Sequence, residues 1–394
     1  MEERYKIKIM NTIAQEGLVL LDSRYDCGPD IVEPDGIIVR SSRVDTSHYS
    51  RLAAVARAGA GVNNITVDKA TEQGICVFNT PGANANAVAE LVFVMLGICA
   101  RNIHSGSEFC RTLAGLDDEE MNVLVEQQKG KFKGFELAGK TLGVIGLGKI
   151  GVRIANGGTS RQMKVIGFDP NPALENIHAL SPDVGLARSI KEVLHNADII
   201  TLHVPLGEKT RGLINQRIID QLKPGAILMN YARGPVVDTE AVLNGLQSGR
   251  LQNYITDFPG REMVAHPRII CTPHLGASTE ESEEQCAFMA VKELKDYLEY
   301  GTISHSVNFP TTESIPNDNV HTRLIMINRD IPGMIGFASQ AIGSHGINIA
   351  SYINESNGAI GYNIIDLESE IPSDVLAEIE ANRDVIRTRI IRFQ

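Results

Sequence analysis

The chain has 394 residues, of which 43% are hydrophobic and 22% are charged, so it has enough material for two or three ordinary globular domains. The formal net charge of −11 argues against nucleic acid as a partner, because binding to a phosphate backbone requires a basic surface. An anionic substrate must therefore be held by a local cluster of Arg or Lys side chains.

The sequence predicts neither export nor insertion into a membrane, and it predicts no metal site. Residues 1–6 lack an apolar signal core, and the longest apolar stretch, 87–100, contains Glu90 and is too short to span a bilayer. The cysteines have no metal-like spacing, which predicts reduced thiols, a cytoplasmic location and no metal site. The six are Cys27, Cys76, Cys99, Cys110, Cys271 and Cys286.

The first block of the chain, up to residue 79, alternates short apolar runs with helical patterns and has no nucleotide fingerprint. This alternation is typical of a parallel α/β architecture. Residues 84–100 then predict one long apolar helix. The predicted strands of this block are Tyr5–Met10, Gly36–Val39, 54–58 and 76–79.

A glycine fingerprint opens the second block, directly after the predicted strand Thr141–Ile145. Gly146, Gly148 and Gly151 form G-x-G-x-x-G, which permits a tight turn, a close approach to a pyrophosphate and close packing of helix on strand. The following helix directs free N–H groups and its positive dipole end at the phosphates. The fingerprint therefore predicts a dinucleotide site.

An acidic residue after the next apolar run, Lys164–Phe168, predicts which dinucleotide binds. Asp169 stands 18 positions (169 − 151) beyond the last glycine, where a carboxylate accepts from the ribose 2′-hydroxyl and repels a 2′-phosphate. NAD is therefore expected rather than NADP. The further predicted strands are 198–202, Ala226–Asn230, 254–257 and 268–271, each separated by a helix-sized segment.

These patterns predict an α/β protein with two doubly wound parallel-sheet domains, the nucleotide domain being inserted into the other. Residues 279–300 are strongly helical, and 301–320 have the composition of a linker. The tail reads strand, helix, strand, strand, helix, strand, which is the split β-α-β pattern of a ferredoxin-like domain. The predicted domains are 1–88 with 277–308 for substrate, 89–276 for NAD, a linker over 309–320, and the tail over 321–394.

Three side chains that can carry chemistry follow strands of the nucleotide domain, at the sheet edge where open α/β sheets bind ligands. Arg233, Asp257 and His274 should therefore converge on one site. His suits removal of a hydroxyl proton near neutral pH, and Arg can grip a carboxylate through two parallel hydrogen bonds. Glu262 is a candidate to orient the imidazole. Taken singly, Arg233 could be a helix-entry ion pair and His274 a loop cap.

Several segments together resemble the D-isomer-specific 2-hydroxyacid dehydrogenases, and the resemblance spans almost the whole chain. It implies two Rossmann-like domains, NAD as cofactor, and Arg233, Glu262 and His274 as the catalytic Arg, Glu and His. The matching segments are the fingerprint, 57–64, 79–84, 202–206, 232–238 and 273–279. The implied NAD contacts are Gly146, Gly148, Lys149, Ile150, Gly151, Asp169, His203, Val204, Pro205, Ala232, Asp257, His274 and Gly276.

The resemblance also implies a substrate, because an Arg-Ser pair follows Gly36–Val39 where members that act on 3-phospho-D-glycerate bind phosphate. The expected reaction oxidises it to 3-phosphohydroxypyruvate, the first step of phosphorylated L-serine biosynthesis. The alternatives are a glyoxylate or hydroxypyruvate reductase, another D-2-hydroxyacid dehydrogenase, or a non-catalytic NAD-sensing protein similar to corepressor relatives. The implied substrate contacts are Arg40, Ser41 and Arg43 for phosphate, and Gly61, Val62, Asn63 and Arg233 for carboxylate.

The tail resembles an ACT domain, which in this family binds serine as a feedback inhibitor. Asn328, Asp330 and Asn348 match the positions of polar serine ligands, although a purely structural dimerisation module is an equal alternative. The family suggests a homodimer or homotetramer.

Gly157 and Gly158 predict that the fingerprint helix is locally weak, because Gly costs about 1 kcal/mol against Ala in a helix interior.

Overall fold

The computed structural model describes residues 4–393, which divide into two compact units. The first unit comprises the residues up to Ala83 together with those from Glu280 onward, and the second is Asn84–Thr279. The predicted fold class is confirmed: each unit contains a parallel sheet flanked by helices, and the first unit also carries an antiparallel sheet from the tail.

The parallel sheet of the first unit has five strands in the order β2-β1-β3-β4-β5. Its central strands are short apolar runs because both of their faces are covered, and Ile37, Ile38 and Val39 have no exposed surface. The strands are β1 Tyr5–Met10, β2 Tyr25–Gly28, β3 Gly36–Val39, β4 Ala54–Arg57 and β5 Cys76–Phe78. The helices are α1 Gln15–Leu18, α2 Val67–Glu72 and the long α11 Glu280–Tyr300.

The second unit is built on a seven-stranded parallel sheet in the order β12-β11-β10-β9-β6-β7-β8, which is the doubly wound topology. Its strands are β6 Thr141–Ile145, β7 Lys164–Phe168, β8 Val184–Leu186, β9 Ile199–Leu202, β10 Ala226–Asn230, β11 Leu251–Thr256 and β12 Ile269–Cys271. Its helices are α3 Ala85–Ala100, α4 Ile103–Thr112, α5 Asp118–Gln128, α6 Lys149–Ser160, α7 Leu174–His178, α8 Ile190–Asn196, α9 Gln216–Ile219 and α10 Thr239–Gln247.

Three further observations concern the helices of the chain. α4 and α5 bury none of their residues within this chain. No single helix within residues 4–393 is both long and apolar enough to cross a membrane. α3 and α4 reach that length and composition only as a pair, across a bend of 60°.

The paired glycines of α6 are required by packing, and the expected weakness is not visible as a break in the helix. α6 runs continuously from Lys149 to Ser160. A Cβ atom on Gly157 would stand 2.5 Å from the ring of Phe93 in α3, and one on Gly158 would stand 2.9 Å from Leu142 and Val165. The glycines therefore let α6 approach both α3 and the sheet.

The tail forms a four-stranded antiparallel sheet in the order β14-β15-β13-β16, which is the ferredoxin-like topology. Two helices cover one face of this sheet, packing on residues such as Leu324 and Ile365. Ile325 and Ile364, on the other face, join the same buried cluster as Phe78 of β5. The tail elements are β13 Thr322–Arg329, α12 Met334–Gly343, β14 Ile349–Ser356, β15 Ile360–Leu367, α13 Ser373–Glu380 and β16 Val385–Arg392.

Two arginines of the tail bind the carbonyl groups at the end of α11. Arg323, which has no exposed surface, pairs with Asp366 at 2.6 Å and donates from Nη1 to the carbonyl of Tyr300 at 2.6 Å. Arg389 donates from Nη1 to the carbonyl of Leu298 at 2.9 Å. Cations at a helix C-terminus satisfy carbonyls that lack intrahelical partners and oppose the negative end of the dipole. The tail and α11 therefore share both a core and polar contacts.

Candidate active site

The fingerprint glycines divide into two that the fold requires and one that it does not. Gly146 has φ +95°, and a Cβ atom there would lie 2.6 Å from the carbonyl oxygen of His203. A Cβ atom on Gly151 would lie 1.9 Å from the carbonyl oxygen of Gly146. In contrast, a Cβ atom on Gly148, the N-cap of α6, would meet nothing within 4 Å. The open space at Gly148, in front of a helix N-terminus, fits a pyrophosphate.

Asp169 is held at the carboxyl end of β7 in a position that fits a ribose. Its Oδ2 accepts from the backbone N–H of Leu147 at 2.9 Å, and its Oδ1 accepts from that of Asn171 at 2.9 Å. The first bond ties the carboxylate to the glycine turn after β6. Each oxygen retains a lone pair for a further donor, such as a 2′-hydroxyl.

His203 follows β9 and is a neutral, partly buried ring. Its Nε2 shares a hydrogen bond of 2.7 Å with the hydroxyl of Thr201. Burial lowers the pKa of His203 to about 3. Its Nδ1 is buried and has no partner within residues 4–393, so it can bond a group that the chain itself does not supply.

Asp257, at the end of β11, organises the loop that carries His274. Its carboxylate is 2% exposed and accepts from the hydroxyl of Thr272 at 2.6 Å. It also accepts from the N–H groups of Leu275 and Gly276, each at 2.8 Å. The N–H group of His274 itself donates to the carbonyl of Asp257 at 3.1 Å. Asp257 therefore fixes the backbone on both sides of the imidazole.

The backbone of His274 adopts a conformation that few residues other than glycine adopt. Its φ is +58°, in the left-handed region, which costs of order 1 kcal/mol for a residue with a Cβ atom. The ring is exposed and packs edge to face on Phe258, with the ring centroids 5.1 Å apart. Strain of this kind persists where surrounding bonds over-determine the backbone, as the four bonds to Asp257 do here.

Arg233 follows β10 and is half-buried. The buried side chain of Asn230 shapes this turn, since its Nδ2 donates to the carbonyl of Arg233 at 3.0 Å and its Oδ1 accepts from Ala232 at 3.1 Å. Burial lowers the pKa of the Arg233 guanidinium, which nevertheless stays charged. Within residues 4–393 no carboxylate pairs with it, so its charge is available for an anion.

Glu262 lies in the exposed turn that follows β11. Within the described residues its carboxylate forms no hydrogen bond or ion pair with His274. Its expected role in orienting the imidazole stays a prediction.

In the first unit, the loop after β3 carries the candidate phosphate ligands Arg40, Ser41 and Arg43. Asn11, which has φ +77°, accepts through Oδ1 from the N–H groups of Arg40, Ser41 and Ser42 at 3.3, 3.0 and 2.9 Å. The Nη2 of Arg40 pairs with Oε1 of Glu283 in α11 at 2.6 Å. Ser41 and Arg43 are exposed.

The turn after β4 carries Gly61, Val62 and Asn63. Arg57 braces it by donating from Nη1 to the carbonyl of Gly61 and from Nε to the carbonyl of Arg40, the latter at 3.0 Å. The N–H groups of Gly61, Val62 and Asn63 donate to no atom of the part of the chain that the structure describes. Unpaired N–H groups in a turn can bind a carboxylate.

The three candidate effector ligands of the tail have different environments. Asn328 is buried, and its Oδ1 accepts from Nδ2 of Asn363 at 2.6 Å. Asp330 is exposed and accepts from the hydroxyl of Ser356. Asn348 is exposed before β14. Asn328 therefore belongs to a polar network within the sheet.

Sequence reasoning did not single out Asn11, Glu283 or Phe258. The sequence does contain a pattern that could have indicated Asn11, because Asn is one of the few residues that tolerate positive φ and it directly follows an apolar strand. The Arg40–Glu283 pair had no such pattern, since its partners are 243 positions apart. Across residues 4–393, no cluster of three His, Cys, Asp or Glu side chains could hold a metal.

Comparison with known proteins agrees with this arrangement. Residues 94–276 match the family model described as the D-isomer specific 2-hydroxyacid dehydrogenase NAD-binding domain. A D-3-phosphoglycerate dehydrogenase of Haemophilus influenzae is 33% identical over 353 residues, covering 86% of this chain and 82% of the relative. One from Methanocaldococcus jannaschii is 34% identical, covering 80% of this chain but only 59% of the relative. The chain thus spans little more than half the length of some relatives.

A solved structure leads to the same family. NAD-bound 3-phosphoglycerate dehydrogenase of Entamoeba histolytica aligns with a TM-score of 0.62 and 26% identity, over 77% of this chain and 99% of its own. The chain belongs to the D-isomer-specific 2-hydroxyacid dehydrogenase family, which comprises NAD-dependent oxidoreductases. NAD, predicted from the fingerprint and Asp169, is therefore confirmed as the cofactor of this family domain.

Proposed function

We propose that the protein oxidises 3-phospho-D-glycerate to 3-phosphohydroxypyruvate with NAD, the first step of phosphorylated L-serine biosynthesis. The phosphorylated substrate is inferred from the loop after β3, where Asn11 orders the backbone of Arg40 and Ser41. A guanidinium and a hydroxyl side by side suit a phosphate. Relatives named D-3-phosphoglycerate dehydrogenase support the same substrate.

For the reaction, we propose that His274 removes the proton of the substrate hydroxyl through an unprotonated ring nitrogen. NAD, when bound, supplies the acceptor for the hydride that leaves the same carbon. The bonds that Asp257 accepts hold the backbone of the loop that carries the imidazole, so proton transfer requires no rearrangement of that loop. Glu262 would stabilise the imidazolium that forms.

The cofactor and carboxylate contacts follow the predicted residues. The first turn of α6 and Gly148 would hold the pyrophosphate, Asp169 the ribose, and Asp257 the nicotinamide amide, with the segments at 203–205, Ala232 and Gly276 lining the site. In the second unit the charge of Arg233 is suited to the substrate carboxylate. In the first unit the unpaired N–H groups of Gly61, Val62 and Asn63 are suited to a carboxylate as well.

The test is an NADH absorbance assay with three substrates: 3-phosphohydroxypyruvate, hydroxypyruvate and glyoxylate. We expect kcat/KM to be highest for the phosphorylated compound, and Arg40→Ala to raise KM for that compound alone. Equal or better turnover of hydroxypyruvate or glyoxylate would identify a reductase of unphosphorylated acids instead. Absence of turnover with all three would favour a non-catalytic NAD-sensing protein.

We further propose that the tail is an ACT regulatory domain that binds L-serine at Asn328, Asp330 and Asn348, with the predicted domain boundaries. Calorimetric titration tests this, and no heat at millimolar serine would count against it. A homodimer or homotetramer belongs to the same proposal and can be measured by light scattering. A cytoplasmic location is proposed because all six cysteines are free thiols.

A further inference from the structure

The ion pair between Arg40 and Glu283 bears on how a phosphate could bind. The pair joins Nη2 of Arg40 to Oε1 of Glu283 at 2.6 Å, and both side chains are about 40% exposed. Glu283 lies in the first turn of α11, where the positive end of the helix dipole stabilises its negative charge. A carboxylate thus occupies Nη2 of the guanidinium that is proposed to bind the substrate phosphate.

The atom that Glu283 occupies matters for the geometry of anion binding. A guanidinium binds phosphate in two bidentate ways, through Nε with Nη2 or through Nη1 with Nη2. Both use Nη2. A phosphate that binds Arg40 in either way must therefore displace Oε1 of Glu283 or share one nitrogen with it, while meeting a like charge at short range.

Most of the polar groups next to Arg40 are already bonded within the protein. The Nε and Nη1 of Arg57 donate to the carbonyls of Arg40 and Gly61. The N–H groups at the start of the same loop converge on Oδ1 of Asn11. Arg43 is exposed. Arg40 is the cation of this loop whose charge is balanced by a carboxylate.

We propose that Glu283 is a specificity-determining residue that competes with the substrate's phosphate group for Arg40. It weakens the preference for phosphorylated over unphosphorylated 2-oxo and 2-hydroxy acids. This inference rests on the proposed function, because it takes Arg40 as the phosphate ligand. The competing carboxylate acts on binding, so its effect falls on KM for phosphorylated substrates.

The test is the Glu283→Gln variant, assayed with 3-phosphohydroxypyruvate and hydroxypyruvate. Gln keeps the size of the side chain and removes its charge. We expect KM for the phosphorylated substrate to fall about three- to tenfold, as is typical for one charge at a partly exposed site. The matched control is Glu281→Gln, an exposed acid of the same helical turn, which should not change the ratio of the two KM values.

The outcomes separate this inference from the proposed function. If Arg40→Ala raises KM for the phosphorylated substrate but Glu283→Gln leaves it unchanged or raises it, the competition is refuted and the substrate proposal stands. If Arg40→Ala has no effect, both fail. An equal change with both substrates also overturns the competition, since it indicates a general structural effect. In the Arg40→Ala background the effect of Glu283→Gln should disappear.

Discussion

Asp257 and His274 are joined through the backbone and not through the imidazole. The carbonyl of Asp257 accepts from the N–H of His274, and its carboxylate accepts from the two residues that follow. The candidate base therefore has a fixed main chain in a left-handed conformation, while its ring is restrained mainly by Phe258. This separation of backbone and ring leads to a test of the base.

Replacing His274 should remove catalysis and leave NADH binding. His274→Ala should lower kcat by about a hundred- to ten-thousand-fold, because general acid–base assistance contributes that much. His274→Asn is the matched control for the backbone, since Asn tolerates positive φ better than Ala. Both variants should lose turnover alike and bind NADH alike by fluorescence titration. An unchanged kcat in either variant would remove His274 from the proposed mechanism.

Gly157 in α6 and Gly148 at its N-cap should respond differently to alanine. Gly157→Ala should destabilise the fold by about 1–3 kcal/mol, because the new methyl group overlaps the Phe93 ring and overpacking outweighs the gain in helix propensity. Gly148→Ala should leave the free energy of unfolding nearly unchanged and weaken NADH binding, since its methyl group points into open space. Urea unfolding and fluorescence titration measure the two quantities. A stabilised Gly157→Ala variant would contradict the packing account.

The buried pair of Arg323 and Asp366 should matter more when it is broken than when it is replaced. Arg323→Met should cost about 3–5 kcal/mol, because it leaves a buried carboxylate without its cation. The double variant Arg323→Met, Asp366→Leu should recover part of that loss. Urea unfolding checks both values, and a double variant no more stable than the single one would show that the bonds to the α11 carbonyls dominate instead.

Acid should weaken the fold through His203. Burial lowers the pKa of this ring to about 3, against about 6.5 in the unfolded chain. Between these values the unfolded chain binds a proton that the folded one excludes. The stabilisation is therefore complete above pH 6.5 and falls by at most about 1.4 kcal/mol per pH unit below it.

His203→Gln removes this titration. From pH 7 to pH 5 the unmodified protein should lose about 1–2 kcal/mol more of its free energy of unfolding than the variant does. Parallel pH profiles for the two proteins, measured by urea unfolding, would show that the ring titrates normally in the fold.

The central strands could be predicted from sequence because strands that are buried on both faces have continuous apolar sequences. Lys164–Phe168 and Ala226–Asn230 have the predicted bounds. Two edge strands, Tyr25–Gly28 and Val184–Leu186, were missed because each buries a single side chain and so lacks a periodic signal.

Some parts of the candidate site could likewise be predicted from sequence, and others could not. The glycine fingerprint and Asp169 are local in sequence and could be recognised there. The pairing of Arg40 with Glu283 depends on α11 returning to the first sheet after the whole second unit, so no local pattern records it. The left-handed backbone of His274 was also invisible, because it follows from bonds to Asp257 seventeen residues (274 − 257) earlier.

The tail's second sheet face also has an evolutionary consequence. Ile325 and Ile364 lie against Phe78 and Tyr297 in one continuous interior, and Arg389 reaches the last carbonyls of α11. A descendant that lost the tail would expose an apolar patch and leave carbonyl groups at the end of α11 without these donors. Gene truncation at this point would therefore favour compensating polar substitutions on β5 and α11.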